Sequence, residues 1–306
     1  MKSIAIVIPA YKPDFLQDTL NSLKKQSCQE FSVYIGDDAS PYDLFGIVDA
    51  FRNQLDLHYH RFQDNLGGTN LVGQWERCLQ LAKDEEWVCL FSDDDLMQSK
   101  CVELFHQTEI PDSTNILHYD IDLINESNEV IQTCPPFPHI IDDADFFDLL
   151  FRRKLVARMP EFIFRRSFLN EHGFIPFDLA WRSDTATVLS AARTEGILTL
   201  SGTDCKVQWR VSSKNISGQN QLKKRKNLAS IAFFNWVFDN GIPIKMSRFY
   251  LLKTIIFSLE YGSAWQFFLD GCVSVVHLKF AKWRRLLCFL FVIYRIPYYW
   301  VETRRS

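Results

Sequence analysis

The sequence predicts an α/β protein with a mostly parallel sheet flanked by helices, followed by a helical C-terminal extension. Two observations support this fold class. Four strands alternate with helices from the N-terminus, and such an alternation implies parallel strands joined by right-handed crossovers. The chain also has 306 residues, enough for one large α/β domain and an appended region.

The first half of the chain alternates regularly between two periodicities. Strands are predicted where β-rich apolar residues run together, and helices where apolar residues recur every three or four positions. The predicted strands are Ile4–Ile8, Phe31–Ile35, Leu57–Phe62 and Trp87–Phe91. The predicted helices are Phe15–Lys25, Tyr42–Leu55 and Leu71–Ala82.

The second half is less regular, and its composition changes after Gly218. The predicted strands here are Asn115–Asp122, Val130–Thr133, Glu161–Arg165, Ile197–Leu200 and Lys206–Val211. The predicted helices are Asp142–Leu150 and Asp184–Thr194. Because basic and aromatic residues are interleaved after Gly218, we divide the chain into a domain of residues 1–218 and a helical region of residues 219–306.

The distribution of charge restricts the possible partners. A net charge of −3 argues against a nucleic-acid-binding protein. From Leu222 onward, however, the chain has 14 Lys and Arg against 4 Asp and Glu, a net charge of +10. Basic residues interleaved with aromatics indicate helices lying on an anionic membrane surface; the alternative is a helical subdomain whose aromatics pack inward.

No feature of the sequence predicts a membrane-spanning helix or a secreted protein. The longest late apolar run, Leu286–Tyr294, has nine residues, too few to cross a bilayer. The N-terminus runs directly into a strand without a signal peptide. The eight cysteines are scattered without a C-x-x-C pair, which indicates reduced core residues rather than disulfides or a zinc site. We therefore expect a cytoplasmic protein, peripheral at the inner face of the membrane.

Three consecutive carboxylates, Asp93, Asp94 and Asp95, directly follow the strand Trp87–Phe91. They would repel one another unless a cation lay between them, and ligands bind at the carboxyl ends of strands in open α/β sheets. A hard cation shared with a phosphorylated substrate fits this position. The alternative is a solvated acidic turn that caps the next helix.

A second acidic pair, Asp37 and Asp38, ends the strand Phe31–Ile35 and is expected at the same edge of the sheet. One cluster can accept hydrogen bonds from a base or ribose while the other holds a metal on a diphosphate. The alternative for Asp38 is an N-cap or Asx turn before Ser40.

Four segments, in this order, resemble the family 2 glycosyltransferases, which have a GT-A (Rossmann-like) fold. They are Ile6–Pro13, Ile35–Ser40, Asn65–Gly68 and Leu90–Asp95, and the resemblance covers roughly residues 3–216. Ser92 departs from the family pattern, in which an Asp often takes that place. This departure leaves open whether Asp93 or Asp95 joins Asp94 at the metal.

The resemblance assigns expected roles to individual residues. The donor nucleotide-diphosphate sugar, most simply a UDP-sugar, would be bound by Pro9, Tyr11, Asp38, Asn65, Asp93 and Arg210. Asp38 would contact the base, and Arg210 would neutralise the diphosphate. Mg²⁺ or Mn²⁺ would be held by Asp94 and Asp93, and Asp184 would be the catalytic base, with Glu161 in reserve.

The implied function is a metal-dependent, inverting sugar transfer to a saccharide or lipid-linked oligosaccharide in bacterial surface polysaccharide biosynthesis. Two other classes stay open. A sugar-nucleotide nucleotidyltransferase also uses carboxylates and Mg²⁺, but it usually has a glycine-rich loop near the first strand, and Pro9–Pro13 contains no glycine. A non-catalytic sugar-binding scaffold would not need Asp94 or Asp184.

Overall fold

The computed structural model describes residues 3–212, 222–247, 250–251 and 254–255. The strands are β1 (Ile4–Ala10), β2 (Ser32–Asp37), β3 (Asp56–Arg61), β4 (Trp87–Leu90), β5 (Leu96–Met97), β6 (Ile116–Tyr119), β7 (Ile121–Ile124), β8 (Val130–Thr133), β9 (Ile140–Ile141), β10 (Phe162–Arg165), β11 (Ile197–Leu200) and β12 (Val207–Arg210). The α-helices are α1 (Leu16–Lys24), α2 (Leu44–Asp49), α3 (Leu71–Leu79), α4 (Cys101–Gln107), α5 (Asp143–Phe151), α6 (Arg166–His172), α7 (Ser183–Ala191) and α8 (Lys223–Asp239).

The larger sheet has eight strands in the order β3-β2-β1-β4-β10-β6-β11-β9. β3, β2, β1 and β4 are parallel, β10 runs against both its neighbours, β6 and β11 are parallel, and β9 is antiparallel to β11. The mostly parallel sheet predicted from the sequence is therefore confirmed. Its parallel strands β1, β2 and β4 end side by side, which brings their C-terminal residues to one edge.

A smaller sheet, in the order β5-β12-β7-β8, was not predicted. The predicted strand Asn115–Asp122 divides at Asp120 into β6, in the larger sheet, and β7, in the smaller one. The Asp120 carboxylate accepts hydrogen bonds from the Phe137 N–H (3.0 Å) and the Ser201 hydroxyl (3.0 Å), so this break is anchored by residues distant in sequence.

Helices cover both faces of the larger sheet. Successive residues of β1 point to opposite sides, so that Ile4, Ile6 and Ile8 join one hydrophobic cluster while Ala5 and Val7 join the other. Burial on both faces explains why β1 and β4 are continuous apolar runs rather than alternating ones.

Helix α8 packs into the same core as the α/β domain. Phe233, Phe234 and Val237 are fully buried in the cluster that also contains Val7 of β1. The aromatic residues of α8 therefore point inward, as expected for a helical subdomain that packs on the rest of the protein. The basic and aromatic segment beyond residue 255, including Leu286–Tyr294, lies outside the described residues. Among the helices described, none is long and apolar enough to cross a bilayer.

Candidate active site

A cavity of about 340 Å³ lies at the C-terminal ends of β1 and β4. Of the predicted site residues, it brings together Pro9, Asp93, Asp94 and Asp184. Further side chains that line it are Lys12, Trp75, Arg158, Trp181, Arg182 and Trp209. Arg158, Trp75 and Trp209 had not been predicted, because only the fold brings them next to the strand ends.

Asp93 is fixed by the loop that follows β1. Its Oδ2 accepts hydrogen bonds from the backbone N–H groups of Tyr11 (2.9 Å) and Lys12 (3.0 Å). The predicted loop residue Tyr11 therefore acts on Asp93 through its backbone, and its ring is 37% exposed. Burial raises the pKa of the Asp93 carboxyl, while these hydrogen bonds oppose the shift.

Asp94 has the most perturbed environment of the cavity carboxylates. Burial, followed by the charge of Asp93, raises its pKa to about 7, and the positive charges of Lys12 and Arg210 act in the opposite direction. Two adjacent carboxylates that disfavour each other's ionisation form a site in which a bound cation would relieve the repulsion.

Asp95 and Arg210 lie below the cavity rather than in it. Both are fully buried; the Arg210 N–H donates to Asp95 Oδ1 (2.7 Å). The guanidinium donates to the backbone oxygens of Asp94 (2.7 Å) and Asn125 (2.9 Å) and stacks on Phe15. Arg210, predicted to bind the diphosphate, is thus not among the cavity-lining residues, and its hydrogen bonds fix the backbone that carries Asp94.

Asp38 and Asn65 shape a loop beside the cavity and are not among its lining residues. Asp38 accepts hydrogen bonds from the N–H groups of Leu66 (2.9 Å) and Gly67 (2.8 Å), and it forms a close ion pair with Arg77. Asn65 Oδ1 accepts from the Gly68 N–H (2.8 Å). The carboxylate of Asp38 is thus engaged by protein groups, and its direct contact with a base stays a prediction.

Asp184 lies in the first turn of α7, where its Oδ1 accepts from the Thr185 N–H (2.6 Å). The segment before it carries three non-glycine residues with positive φ: Leu179 (59°), Ala180 (51°) and Arg182 (74°). Each such residue costs on the order of 1–3 kcal/mol, and this strain persists only where the surroundings impose it. All three also line the cavity, so the strained segment forms one of its walls.

Glu161, the reserve candidate for the base, is fully buried and is not among the cavity-lining residues. Burial raises its pKa well above the ordinary value, which favours the protonated form of the carboxyl group. A protonated carboxylic acid cannot accept a proton from an acceptor hydroxyl. Asp184 is therefore the better placed of the two candidates.

The residues present fit a divalent cation. Asp93 and Asp94 supply the carboxylate oxygens that Mg²⁺ and Mn²⁺ prefer, and both line a cavity with room for further oxygen ligands from a diphosphate or water. Asp95 is directed away from the cavity, so Asp93 is the partner of Asp94 that the geometry favours.

A second set of possible metal ligands lies outside the cavity. One ligand atom each from Cys28, Glu30 and His106 lies within 4.8 Å of the others, although the scattered cysteines had indicated no metal site. This cluster contributes no residue to the cavity.

A parallel α/β sheet with carboxylates at the ends of its central strands is the architecture of the GT-A glycosyltransferases. The sequence model of glycosyl transferase family 2 matches residues 5–172, more than half of the chain. The protein therefore belongs to glycosyl transferase family 2.

Known proteins resemble parts of the chain. The poly(ribitol-phosphate) beta-N-acetylglucosaminyltransferase TarS of Staphylococcus aureus is 34% identical over 71 residues, which is 22% of this chain and only 12% of that relative. The structure of S. aureus TarS 1–349 in complex with UDP-GlcNAc has a TM-score of 0.60 at 16% identity, covering 91% of this chain and 82% of that one. The structure of GalNAc-T7 with UDP, GalNAc and Mn²⁺ has a TM-score of 0.52 at 13% identity, covering 76% and 48%.

Proposed function

We propose that the protein is a metal-dependent, inverting glycosyltransferase that moves a sugar from a nucleotide-diphosphate donor to a saccharide acceptor. The observation that carries this proposal is the convergence of Asp93, Asp94 and Asp184 on one cavity. The complexes of the similar structures, TarS with UDP-GlcNAc and GalNAc-T7 with UDP and Mn²⁺, support a UDP-sugar donor and Mn²⁺ or Mg²⁺ as the cation.

In this proposal, Asp94 and Asp93 hold the cation, which neutralises charge on the departing diphosphate. Lys12 and Pro9 line the same end of the cavity as these carboxylates. Asp38 and Asn65 shape the Leu66–Gly68 loop on the nucleotide side, and Arg210 positions Asp94 through its backbone oxygen. We therefore reassign Asp38 and Arg210 from binding residues to positioning residues.

Asp184 is the proposed base. Its carboxylate takes the proton of the acceptor hydroxyl as that oxygen forms a bond to the anomeric carbon, and the bond from this carbon to the diphosphate oxygen breaks. Attack from the face opposite the leaving group inverts the anomeric configuration. The Thr185 N–H fixes Asp184 Oδ1, which orients the carboxylate at the start of α7.

The acceptor is proposed to be a saccharide of a surface polysaccharide, free or lipid-linked, reached from the cytoplasmic face of the membrane. The net charge of +10 from Leu222 onward supports contact with an anionic membrane surface. Because Phe233 and Phe234 pack inward, α8 belongs to the core, and contact with the membrane surface would involve other parts of this region.

The test is incubation with a panel of sugar nucleotides plus Mn²⁺, with measurement of released nucleotide. We expect release with one class of donor, abolition by EDTA, and a loss of at least about a hundredfold in Asp94→Asn, because the amide is a poor cation ligand. Asp184→Asn should lose transfer by a similar factor while still binding UDP. Leu228→Ala, an exposed position on α8, is the matched control.

Each outcome addresses a different part of the proposal. Undiminished turnover of Asp94→Asn in EDTA would rule out the metal, and near-normal transfer by Asp184→Asn would rule out the base. Formation of a nucleoside triphosphate and a sugar 1-phosphate when pyrophosphate is added with the sugar nucleotide, without release of a nucleoside diphosphate, would identify a nucleotidyltransferase. Sugar binding without consumption of any donor would identify a non-catalytic module.

A further inference from the structure

A second and larger cavity, of about 600 Å³, lies beside the 340 Å³ cavity at the ends of β1 and β4, which we call the donor cavity because it contains the proposed cation ligands Asp93 and Asp94. Ten of the described residues line this cavity; four of them are arginines, Arg152, Arg153, Arg158 and Arg182, and none of these ten is acidic. Arg158 and Arg182 also line the donor cavity, so the two cavities are adjacent.

The two cavities differ in electrostatic character. The donor cavity combines Asp93, Asp94 and Asp184 with Lys12, Arg158 and Arg182, whereas the ionised groups among the described residues that line its neighbour are all arginines. Arginine presents its donors in a planar fork that matches phosphate bidentately, and several arginines together suit a group or chain with repeated negative charge.

The available partners within the protein account for only part of this positive charge. Arg152 forms an ion pair with Asp148 (2.5 Å) and stacks on Tyr250. In the part of the chain that the structure describes, Arg153 and Arg158 have no ion pair with a carboxylate. Arg158 instead stacks on Trp209, 4.8 Å from the ring centroid, and donates to the Ala157 carbonyl (2.7 Å).

The arginine-lined cavity lies close to Asp184, the proposed base, and this position links the cavity to the acceptor. Arg182 lies two residues before Asp184 and contributes to both cavities. An acceptor whose hydroxyl group reaches Asp184 would therefore have its remaining part next to Arg182, Arg158 and Arg153.

We propose that this arginine-lined cavity binds a phosphate group of the acceptor, so that the enzyme acts on a phosphate-bearing saccharide or polyol chain. This inference rests on the proposed function, because it takes Asp184 as the acceptor end of the site. The phosphate can come from phosphodiester links within a polymer or from the diphosphate of a lipid carrier, and both present the same chemistry to the arginines.

The experiment measures equilibrium binding by fluorescence anisotropy in saturating UDP and Mn²⁺, so that the donor site cannot take up the phosphate of the probe. The probes are dye-labelled oligo(glycerol phosphate), a neutral oligosaccharide, an oligouronate of similar length, and a prenyl-diphosphate-linked saccharide in detergent. We expect a phosphate-bearing probe to bind at least tenfold more tightly than the neutral one. Arg153→Gln should weaken this binding about tenfold.

The matched control is Arg52→Gln, because Arg52 is an exposed arginine paired with Asp49 and lines neither cavity. Tight binding of the soluble phosphodiester identifies a polymer as the source, and tight binding of only the prenyl-linked probe identifies the lipid diphosphate. The proposal is overturned if the neutral probe or the oligouronate binds as tightly, or if Arg153→Gln and Arg52→Gln have equal effects. Failure of UDP itself to bind, measured separately by calorimetry, would instead count against the proposed function.

Discussion

Glu161 and His118 face each other inside the core, with 3.5 Å between Oε1 and Nε2. Neither is accessible to solvent, and His118 stacks on Phe137 with 3.7 Å between the ring centroids. Burial lowers the pKa of His118 from 6.5 to about 3 and raises that of Glu161 well above 4.5. Burial therefore favours the neutral form of both groups in the folded protein.

A protonated Glu161 makes stability depend on pH in a defined direction. Above pH 4.5 the unfolded chain releases this proton while the folded protein keeps it, so the free energy of unfolding decreases as pH rises toward the folded pKa. This contribution amounts to at most about 1.4 kcal/mol per pH unit. His118 has the opposite effect on the free energy of unfolding, which decreases as pH falls below 6.5. The reason is that the unfolded chain gains a proton on this residue while the folded protein does not.

We predict that Glu161→Gln removes the part of the pH dependence of the free energy of unfolding that is due to Glu161. Urea unfolding of the wild type and the variant between about pH 5 and pH 8 should give a stability difference that changes in favour of the variant as pH rises. A difference that stays constant over this range would show that Glu161 is ionised in the folded state.

Single residues show what the sequence could predict of the site. Asp94 was predicted from its position after a strand and Asp184 from the resemblance to the family, and both line the cavity. The burial of Arg210 could not be predicted, because it depends on the pairing of β12 with β5 and β7. The strained wall of Leu179, Ala180 and Arg182 has no sequence signal, since none of these residues favours positive φ.

At the scale of elements, helix α3 lies very close to strand β2. A Cβ added to Gly36 of β2 would lie 2.3 Å from Cys78 Sγ and 3.0 Å from the Phe62 ring. Cys78 is fully buried, so it cannot move aside into solvent. A glycine at this position lets the helix pack against the strand that leads to Asp37 and Asp38.

We predict that Gly36→Ala lowers the free energy of unfolding by about 1–3 kcal/mol, because the added methyl group overpacks this contact. Chemical denaturation gives the value. The double variant Gly36→Ala/Cys78→Ala should be more stable than the single one, since it removes the clashing sulfur. If the second substitution brings no recovery, the contact with Cys78 is not the cause.

The elements differ in how well local sequence specifies them. Three of the four parallel strands of the first half, β1, β2 and β4, were predicted because continuous apolar runs are typical of strands buried on both faces. The division of Asn115–Asp122 into β6 and β7 was missed, because both halves have the same apolar character. Only their partners differ: β6 pairs with β10 and β11, whereas β7 pairs with β12 and β8. The short α4, with seven residues, offered too few turns for its periodicity to be recognised.

At the scale of the whole molecule, α8 is part of the α/β unit. It supports the strained wall of the cavity: the Trp181 indole N–H donates to Ser230 (3.0 Å), and Arg225 pairs with Asp178 through two hydrogen bonds (2.9 and 2.6 Å). The predicted boundary between residues 218 and 219 lies outside the described residues, but the structure beyond it shares the core.

We predict that Phe233→Ala destabilises the entire unit by about 3–5 kcal/mol, because it leaves a cavity among fully buried aromatic side chains. Leu228→Ala, on the exposed side of the same helix, should change stability by less than about 0.5 kcal/mol. Thermal unfolding followed by circular dichroism and by tryptophan fluorescence should shift together in Phe233→Ala. Separate transitions for the two signals would indicate that α8 folds independently.

The contact between Asp95 and Arg210 joins residues 115 positions apart. During synthesis on the ribosome, the carboxylates at the end of β4 emerge long before Arg210, which holds the Asp94 backbone. Because a polypeptide is made from its N-terminus, a nascent chain can form the first four strands while this support is still missing. Donor binding is therefore expected to be acquired late in biosynthesis, after most of the protein has been translated.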